Sequence, residues 1–155
     1  MNDIAVRAAT AEDVQFILAS NRAMAAETED VGLDSDTLRL GIEYLLGNTA
    51  QGRYLVAEVN GEPAGTLMIT FEWSDWRNGR FWWIQSVYVN AEARRQGVYR
   101  AMHEAVRELA SKDPQVCGIR LYVERENLGA QQTYQRIGMT ETHYRLYEEA
   151  LSPRG

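Results

Sequence analysis

Cysteine, histidine and proline are scarce in this chain, and each scarcity removes a class of answer. A single cysteine, Cys117, cannot close an internal disulfide, and beside only His103 and His143 it cannot build a usual zinc site. No metal is therefore expected, and Cys117 is expected to be a small buried apolar residue. The three prolines, Pro63, Pro114 and Pro153, fall at apparent turns or in the tail, and no Pro/Gly/Ser-rich linker divides the sequence. No apolar run approaches the ~18 residues that span a bilayer, and the start, Met1-Asn2-Asp3-Ile4, lacks a basic region followed by an apolar one. The expected setting is cytoplasmic, with no membrane partner. Positive charge is the minority sign: 16 Lys and Arg against 22 Asp and Glu leave a net charge of -6, a surface that repels phosphate backbones and argues against nucleic acid.

What is present suits one globular domain over residues 1–155, with 45% hydrophobic and 25% charged residues. Ile4-Ala5-Val6 reads as a strand, and Thr10-Ala11-Glu12-Asp13 as a capping pattern opening a helix with Val14, Ile17 and Leu18 on one face. A second helix starts at a Ser35 or Asp36 cap, carries Leu38, Ile42, Leu45 and Leu46, and stops at Gly47. The period then changes to two: Tyr54 to Val59, a turn at Asn60-Gly61-Glu62-Pro63, Thr66 to Trp73, and Arg80 to Val89. From Gly97 it returns to helical spacing, with Val98, Ala101, Met102, Ala105, Val106 and Leu109 on one stripe, closed by Pro114. A strand over Val116 to Val123, a helix over Asn127 to Ile137 and a last strand over Met139 to Tyr147 complete the order β-α-α-β-β-β-α-β-α-β. The helix crossover makes the strands ending at Val89 and starting at Val116 parallel, while the hairpin makes its neighbours antiparallel, so the sheet is predicted to be mixed.

Chemistry concentrates where Gln85 to Val89 runs through the loop Asn90 to Gln96 into the helix opening at Gly97. A strand leading through a basic, Gly-containing loop into a helix N-terminus can hold an anion, because unpaired N–H groups and the helix dipole face it and arginines add forked donors. Arg94, Arg95 and Arg100 all lie there. A solvated helix start, salt-bridged through Glu92 and Glu104, explains the same pattern, and spacing alone leaves both open.

These residues resemble the Gcn5-related N-acetyltransferase (GNAT) family. Its signature Arg/Gln-x-x-Gly-x-Gly/Ala after a strand ending in valine is similar to Val89 followed by Arg94-Arg95-Gln96-Gly97-Val98-Tyr99, except that Tyr99 stands where Gly or Ala is usual. The later motif Asn-x-x-Ala-x-x-x-Tyr-x-x-x-Gly-Phe is similar to Asn127, Ala130, Tyr134 and Gly138, with Met139 in place of phenylalanine. The resemblance implies an α+β fold: an α/β/α sandwich on a mixed, mostly antiparallel sheet, with acetyl-CoA as cosubstrate in the gap of a splayed parallel strand pair. It implies that the backbone of Val87, Tyr88 and Val89 pairs with pantetheine, and that the loop from Arg94 through Arg95, Gln96, Gly97, Val98 and Tyr99 to Arg100 cradles the pyrophosphate. It further implies that Asn127 and Ala130 border the pantetheine arm and that the Tyr134 hydroxyl lies near the thioester sulfur, where a phenol can protonate the leaving thiolate as general acid. Many members carry a carboxylate on the strand before the loop, but Phe81-Trp82-Trp83-Ile84-Gln85-Ser86 contains none. Glu72, Asp75 and Glu124 remain as candidate bases, Glu72 foremost, beside a water chain ending at Gln85, Ser86 or Tyr88. His103 and His143 are set aside as bases.

The implied activity is transfer of an acetyl group to a primary amine, with a homodimer as one assembly open to it. The alternative is a CoA-binding sensor of the same fold, which Tyr99 and the missing strand carboxylate support. Around the acceptor side the resemblance places Glu27, Glu29, Asp30, Asp34 and Asp36, together with Trp73, Asp75 and Trp76. No lysine or arginine lies between Arg22 and Arg39, so a small cationic amine or a lysine-bearing peptide is the expected acceptor.

Overall fold

The period-two stretches pair into one sheet because each carries an apolar face that only a neighbouring layer can bury. The computed structural model describes residues 2–28 and 32–153, divided between a unit Met1–Tyr122 and a unit Val123–Gly155. In the first unit the strands are β1 (Ile4–Ala8), β2 (Gly52–Val59), β3 (Glu62–Ser74), β4 (Gly79–Val89) and β5 (Val116–Arg120), in spatial order β1-β2-β3-β4-β5. The first three pairings are antiparallel and β4–β5 is parallel, the mixed α+β arrangement predicted from the crossover. Helices α1 (Val14–Thr28), α2 (Ser35–Leu46) and α3 (Val98–Ser111) belong to this unit, and α4 (Leu128–Arg136) to the second.

The sheet separates two apolar layers. On one face Leu55, Leu67, Ile69, Trp82 and Ile84 pack with Val98, Met102 and Val106 of α3. On the other, Tyr54 packs with Ile17 of α1 and with Ile42 and Leu45 of α2. The entry to α1 is a capping box: Thr10 accepts from the Glu12 amide, and Asp13 accepts from the Thr10 amide at 2.7 Å while holding Arg7 through both oxygens at 2.8 and 2.9 Å. The cap of α2 is Asp34 rather than Ser35 or Asp36. Its carboxylate reaches both the amide and the hydroxyl of Thr37, at 2.8 and 2.7 Å.

Two strand boundaries move for identifiable reasons. Asn60 and Gly61 both have positive φ, 52° and 85°, and close a two-residue hairpin, so β3 begins at Glu62 instead of Thr66. Pro63, which has no N–H to give, is accommodated beside a register shift between Ala57 and Glu58. The β5 pairing stops at Arg120, three residues short of the predicted end. The predicted last strand over 139–147 does not form, since those residues have no ladder partner among the described residues. Alternation marks two faces but does not supply a strand to pair with. Cys117 is exposed, contrary to its expected burial: the register shift between Arg80 and Phe81 pairs Val116 and Gly118 and leaves Cys117 out, on an edge strand. Among the described residues no helix is long and apolar enough to cross a membrane.

The β4–β5 contact depends on a glycine. A Cβ on Gly118 would lie 2.7 Å from the Phe81 ring, and that ring is pinned by the Arg120 guanidinium 3.6 Å from its centroid. Gly118→Ala is therefore expected to lower stability by about 1–3 kcal/mol, measured by urea unfolding. An unchanged midpoint would show that the ring moves aside freely.

Candidate active site

The site begins with a strand that is paired fully on one side and only in part on the other. β4 pairs with β3 from Gly79 to Val89, but with β5 only from Arg80 to Trp83. Beyond Trp83 the parallel pairing ends, leaving the β5-facing edge of residues 84–89 without a strand partner among the described residues. That is the splayed pair the resemblance implied. A bulge falls in the same stretch: Gln85 opposes Met68 and Tyr88 opposes Thr66, so Ser86 and Val87 together face Leu67. Ser86 takes φ 52°, which costs an L residue roughly 1–2 kcal/mol. The extra residue reverses the alternation. Trp82 and Ile84 face the α3 layer before the bulge, Val87 and Val89 pack against it after, and Tyr88 is turned to the opposite face.

After Val89 a 3-10 turn over Ala91–Ala93 leads to Arg94, Arg95 with φ 66°, and Gly97 with φ 85° as the N-cap of α3. The Gly97 side is open, with no atom within 4 Å of where a Cβ would stand. Gly97 has no side chain to cap the first turn, so the leading amides of α3, Val98 and Arg100 among them, have no intrahelical acceptor. Open space before a helix N-terminus, with left-handed residues bending the backbone around it, is a geometry suited to an anion.

The three arginines divide their work. Arg94 folds back, with Nε donating to the Val89 carbonyl at 2.9 Å and a terminal nitrogen to Glu27 at 2.8 Å. The other Glu27 oxygen accepts from the Tyr88 hydroxyl, and the guanidinium lies 5.3 Å from the Tyr88 ring centroid. The Tyr88 hydroxyl and Arg94 hold the Glu27 carboxyl below the usual carboxylate range, and Glu27 in turn pushes the Tyr88 phenol up. Arg100 pairs with Glu104 at 3.4 Å, the solvated helix-start contact that spacing also allowed. Arg95 is exposed on the loop.

Tyr99 turns away from the loop mouth. Its ring packs on the α3 layer and its hydroxyl meets His103 Nδ1 at 3.0 Å, so the bulk at this motif position goes into the core. His103 is 1% exposed, and burial pushes its pKa down to about 4. It stays neutral at pH 7 and faces inward.

Glu72, on β3, is tied to the paired half of β4 and β5. Its Oε1 accepts from Trp83 Nε1 and from Arg120, both at 2.9 Å. Of the acidic rim, Glu27 is held by Tyr88 and Arg94, Asp34 caps α2 and Asp36 pairs with Arg39 at 3.3 Å, while Glu29 and Asp30 lie outside the described residues. Trp73 and Trp76, 56% and 88% exposed, bracket Asp75 at the β3–β4 turn. In the second unit Asn127 caps α4, accepting from the Ala130 amide at 3.2 Å, and Gly138 with φ 102° lets the chain turn back after the helix. Tyr134 is half-buried on α4, and burial pushes its phenol up, which keeps it protonated at neutral pH. Two features were not singled out from the sequence: the Ser86–Val87 bulge and the role of Glu27. Its partners Tyr88 and Arg94 lie 61 and 67 residues away, and no local pattern announces such a contact.

A family model described as the acetyltransferase (GNAT) family matches residues 19–139. The chain belongs to the GNAT family. A possible acetyltransferase from Clostridium difficile 630 is 41% identical, with a TM-score of 0.89 over 96% of this chain and 98% of that one. The fold is also shared with an aminoglycoside N-acetyltransferase solved with CoA, at 13% identity and a TM-score of 0.81 over 98% and 97% of the two chains. A glucosamine-6-phosphate N-acetyltransferase from Arabidopsis thaliana gives 15% identity and a TM-score of 0.73 over 95% and 98%. No match was found among curated protein sequences.

Burial of His103 has a measurable consequence. In the unfolded chain its imidazole protonates near pH 6.5, whereas in the folded protein it stays neutral down to about 4. Between those values the unfolded state binds the extra proton, so stability falls as pH drops through the window, by at most about 1.4 kcal/mol per pH unit. Urea midpoints at pH 7, 5.5 and 4.5 should decline in the wild type and decline less in His103→Gln; parallel declines would assign the effect elsewhere.

Proposed function

We infer that this GNAT protein is an acetyl-CoA-dependent N-acetyltransferase that moves the acetyl group to a primary amine within a ternary complex. The observation that carries the reading is the Gly97 turn: a left-handed, side-chain-free residue before uncapped helix amides, directly after a strand edge left open by the splay. A pyrophosphate fits such a turn, since it accepts from several N–H groups at once and its charge is favoured by the helix dipole. The open edge of Val87 to Val89 supplies backbone donors and acceptors for the amides of a pantetheine arm. The family resemblance assigns Asn127 to that arm, and since its oxygen caps α4 its donor in that role is Nδ2.

The amine nitrogen attacks the acetyl carbonyl carbon, charge gathers on the carbonyl oxygen, and the carbon–sulfur bond then breaks. Backbone N–H groups turned by the bulge are the oxyanion donors in this reading. The departing thiolate takes its proton from the Tyr134 phenol, the role the family resemblance gives it, burial keeping it protonated until that step; the proton that the attacking nitrogen sheds as the amide forms restores the phenol. The ammonium form of the acceptor loses its proton to Glu72 through bridging water, because Glu72 itself stands opposite Phe81 in the paired half of the sheet. With the acids at 27, 34 and 36 engaged inside the chain, the support for a cationic acceptor is the exposed Trp73–Asp75–Trp76 turn, where indole faces hold ammonium groups.

Release of CoA thiol from acetyl-CoA across a panel of amines tests the activity. Turnover is the expected result, and tight CoA binding with no turnover on any amine would select the CoA-sensing module instead. Gly97→Asp places a carboxylate where the pyrophosphate sits and should weaken CoA binding by roughly 100-fold or more in isothermal titration, with Arg95→Ala losing far less. An unchanged affinity in folded Gly97→Asp protein would end the loop assignment. Tyr134→Phe keeps the ring and removes the proton, so kcat should fall roughly 10- to 1,000-fold with CoA affinity retained. A kcat within twofold of wild type, with chemistry rate-limiting, would remove the leaving-group role.

A further inference from the structure

We propose that Glu27 is a positioning residue for the acyl-CoA loop: its carboxylate, shared between Tyr88 and Arg94, holds the first loop arginine in the pose that keeps the α3 N-terminus open. The proposal rests on the acyl-CoA reading of that loop and adds to it a residue outside both family motifs. Glu27 lies in the last turn of α1, on another element from the loop it would govern.

Three observations carry it. First, Arg94 is turned away from the mouth of the loop, because its Nε is committed to the Val89 carbonyl at 2.9 Å and a terminal nitrogen to Glu27 at 2.8 Å. An arginine held in this way sets where the loop begins and does not itself receive the phosphate. Second, the next residue, Arg95, stands at φ 66°, which an L residue keeps only when its flanks hold it. Arg94 is the anchored flank on one side, and the Val98 side chain, 2% exposed in the α3 layer, anchors the other. Third, Tyr88 reaches Glu27 only because the Ser86–Val87 bulge turns it to the α1 face, so the unusual backbone of β4 and the Glu27 contact occur together.

Without the carboxylate, Arg94 keeps the Val89 carbonyl alone, the Tyr88 hydroxyl loses its acceptor, and Arg95 is released toward right-handed backbone. The leading amides of α3 then no longer share one preset direction. Acyl-CoA must re-form the loop on binding, which raises Kd and KM, while the groups that touch the reacting atoms are unchanged. The same contact ties the loop to the last turn of α1, so occupancy of one should stiffen the other.

Amide hydrogen exchange on the ligand-free protein tests positioning directly. Glu27→Ala should speed exchange of the segment 92–98 at least about fivefold while β2 and β3 keep wild-type protection, and Glu27→Gln, which keeps the shape and an acceptor oxygen, should fall between. Titration with CoA should show Glu27→Ala and Arg94→Ala each weakening Kd roughly five- to twentyfold, with the double variant no weaker than the worse single one. KM for acetyl-CoA should rise in parallel with Kd. Unchanged loop exchange in folded Glu27→Ala, or losses that multiply in the double variant, would overturn the proposal. If the wild type binds no CoA, the acyl-CoA reading fails, and the exchange measurement still decides whether Glu27 positions the loop.

Discussion

β4 has a full-length partner in β3 and only a four-residue partner in β5, and the rest of the site follows from that imbalance. A strand edge inside a sheet is normally sealed by its neighbour. Here the parallel neighbour leaves after Arg120, so polar backbone groups of residues 84–89 stay available beside an otherwise packed layer. Parallel pairing makes this opening natural, because a parallel neighbour arrives through a long crossover and can diverge at its far end without breaking a tight turn. The crossover is α3, whose N-terminus therefore lies just beyond the open edge of β4.

The bulge at Ser86–Val87 adapts that edge. One extra residue exchanges the two faces of the strand, so Val87 and Val89 continue the α3 layer while Tyr88 goes to the α1 side. The cost is a left-handed serine, and the return is a bond from Tyr88 to Glu27 that brings the end of α1 to the loop. Left-handed backbone at Ser86, Arg95 and Gly97, strained only at the first two, thus falls within one short stretch, between the open edge and the open helix end. Tyr99 shows how the motif tolerates a large residue: its side chain extends into the α3 layer and bonds His103, leaving the loop mouth to the backbone.

Charge follows the same economy. In a chain of net charge -6, most acids near the proposed acceptor side are already occupied: Glu27 by Arg94, Asp36 by Arg39, Glu72 by Arg120 and Trp83, and Asp34 by its helix cap. An acidic composition does not therefore translate directly into an acidic site, because carboxylates that hold structure are screened by their partners.

Periodicity by itself determined the strand and helix order as far as α4, the parallel crossover and the mixed sheet, since spacings of two and of three to four register which face is buried. Both family motifs were legible for the same reason: each is a run of a few residues with a local backbone requirement, such as Gly97 at positive φ or Asn127 at a helix cap. The ends were not legible. Alternation over 139–147 has no strand to pair with among the described residues, and Cys117 is exposed because a register shift with β4 leaves it unpaired. Only the tertiary structure decided that Glu27 is bound to residues 61 and 67 positions away, that Tyr99 turns inward, and that the rim acids are engaged. Local spacing records which face a residue occupies; which residue meets it across that face depends on how the layers stack, and that information is spread over the whole chain.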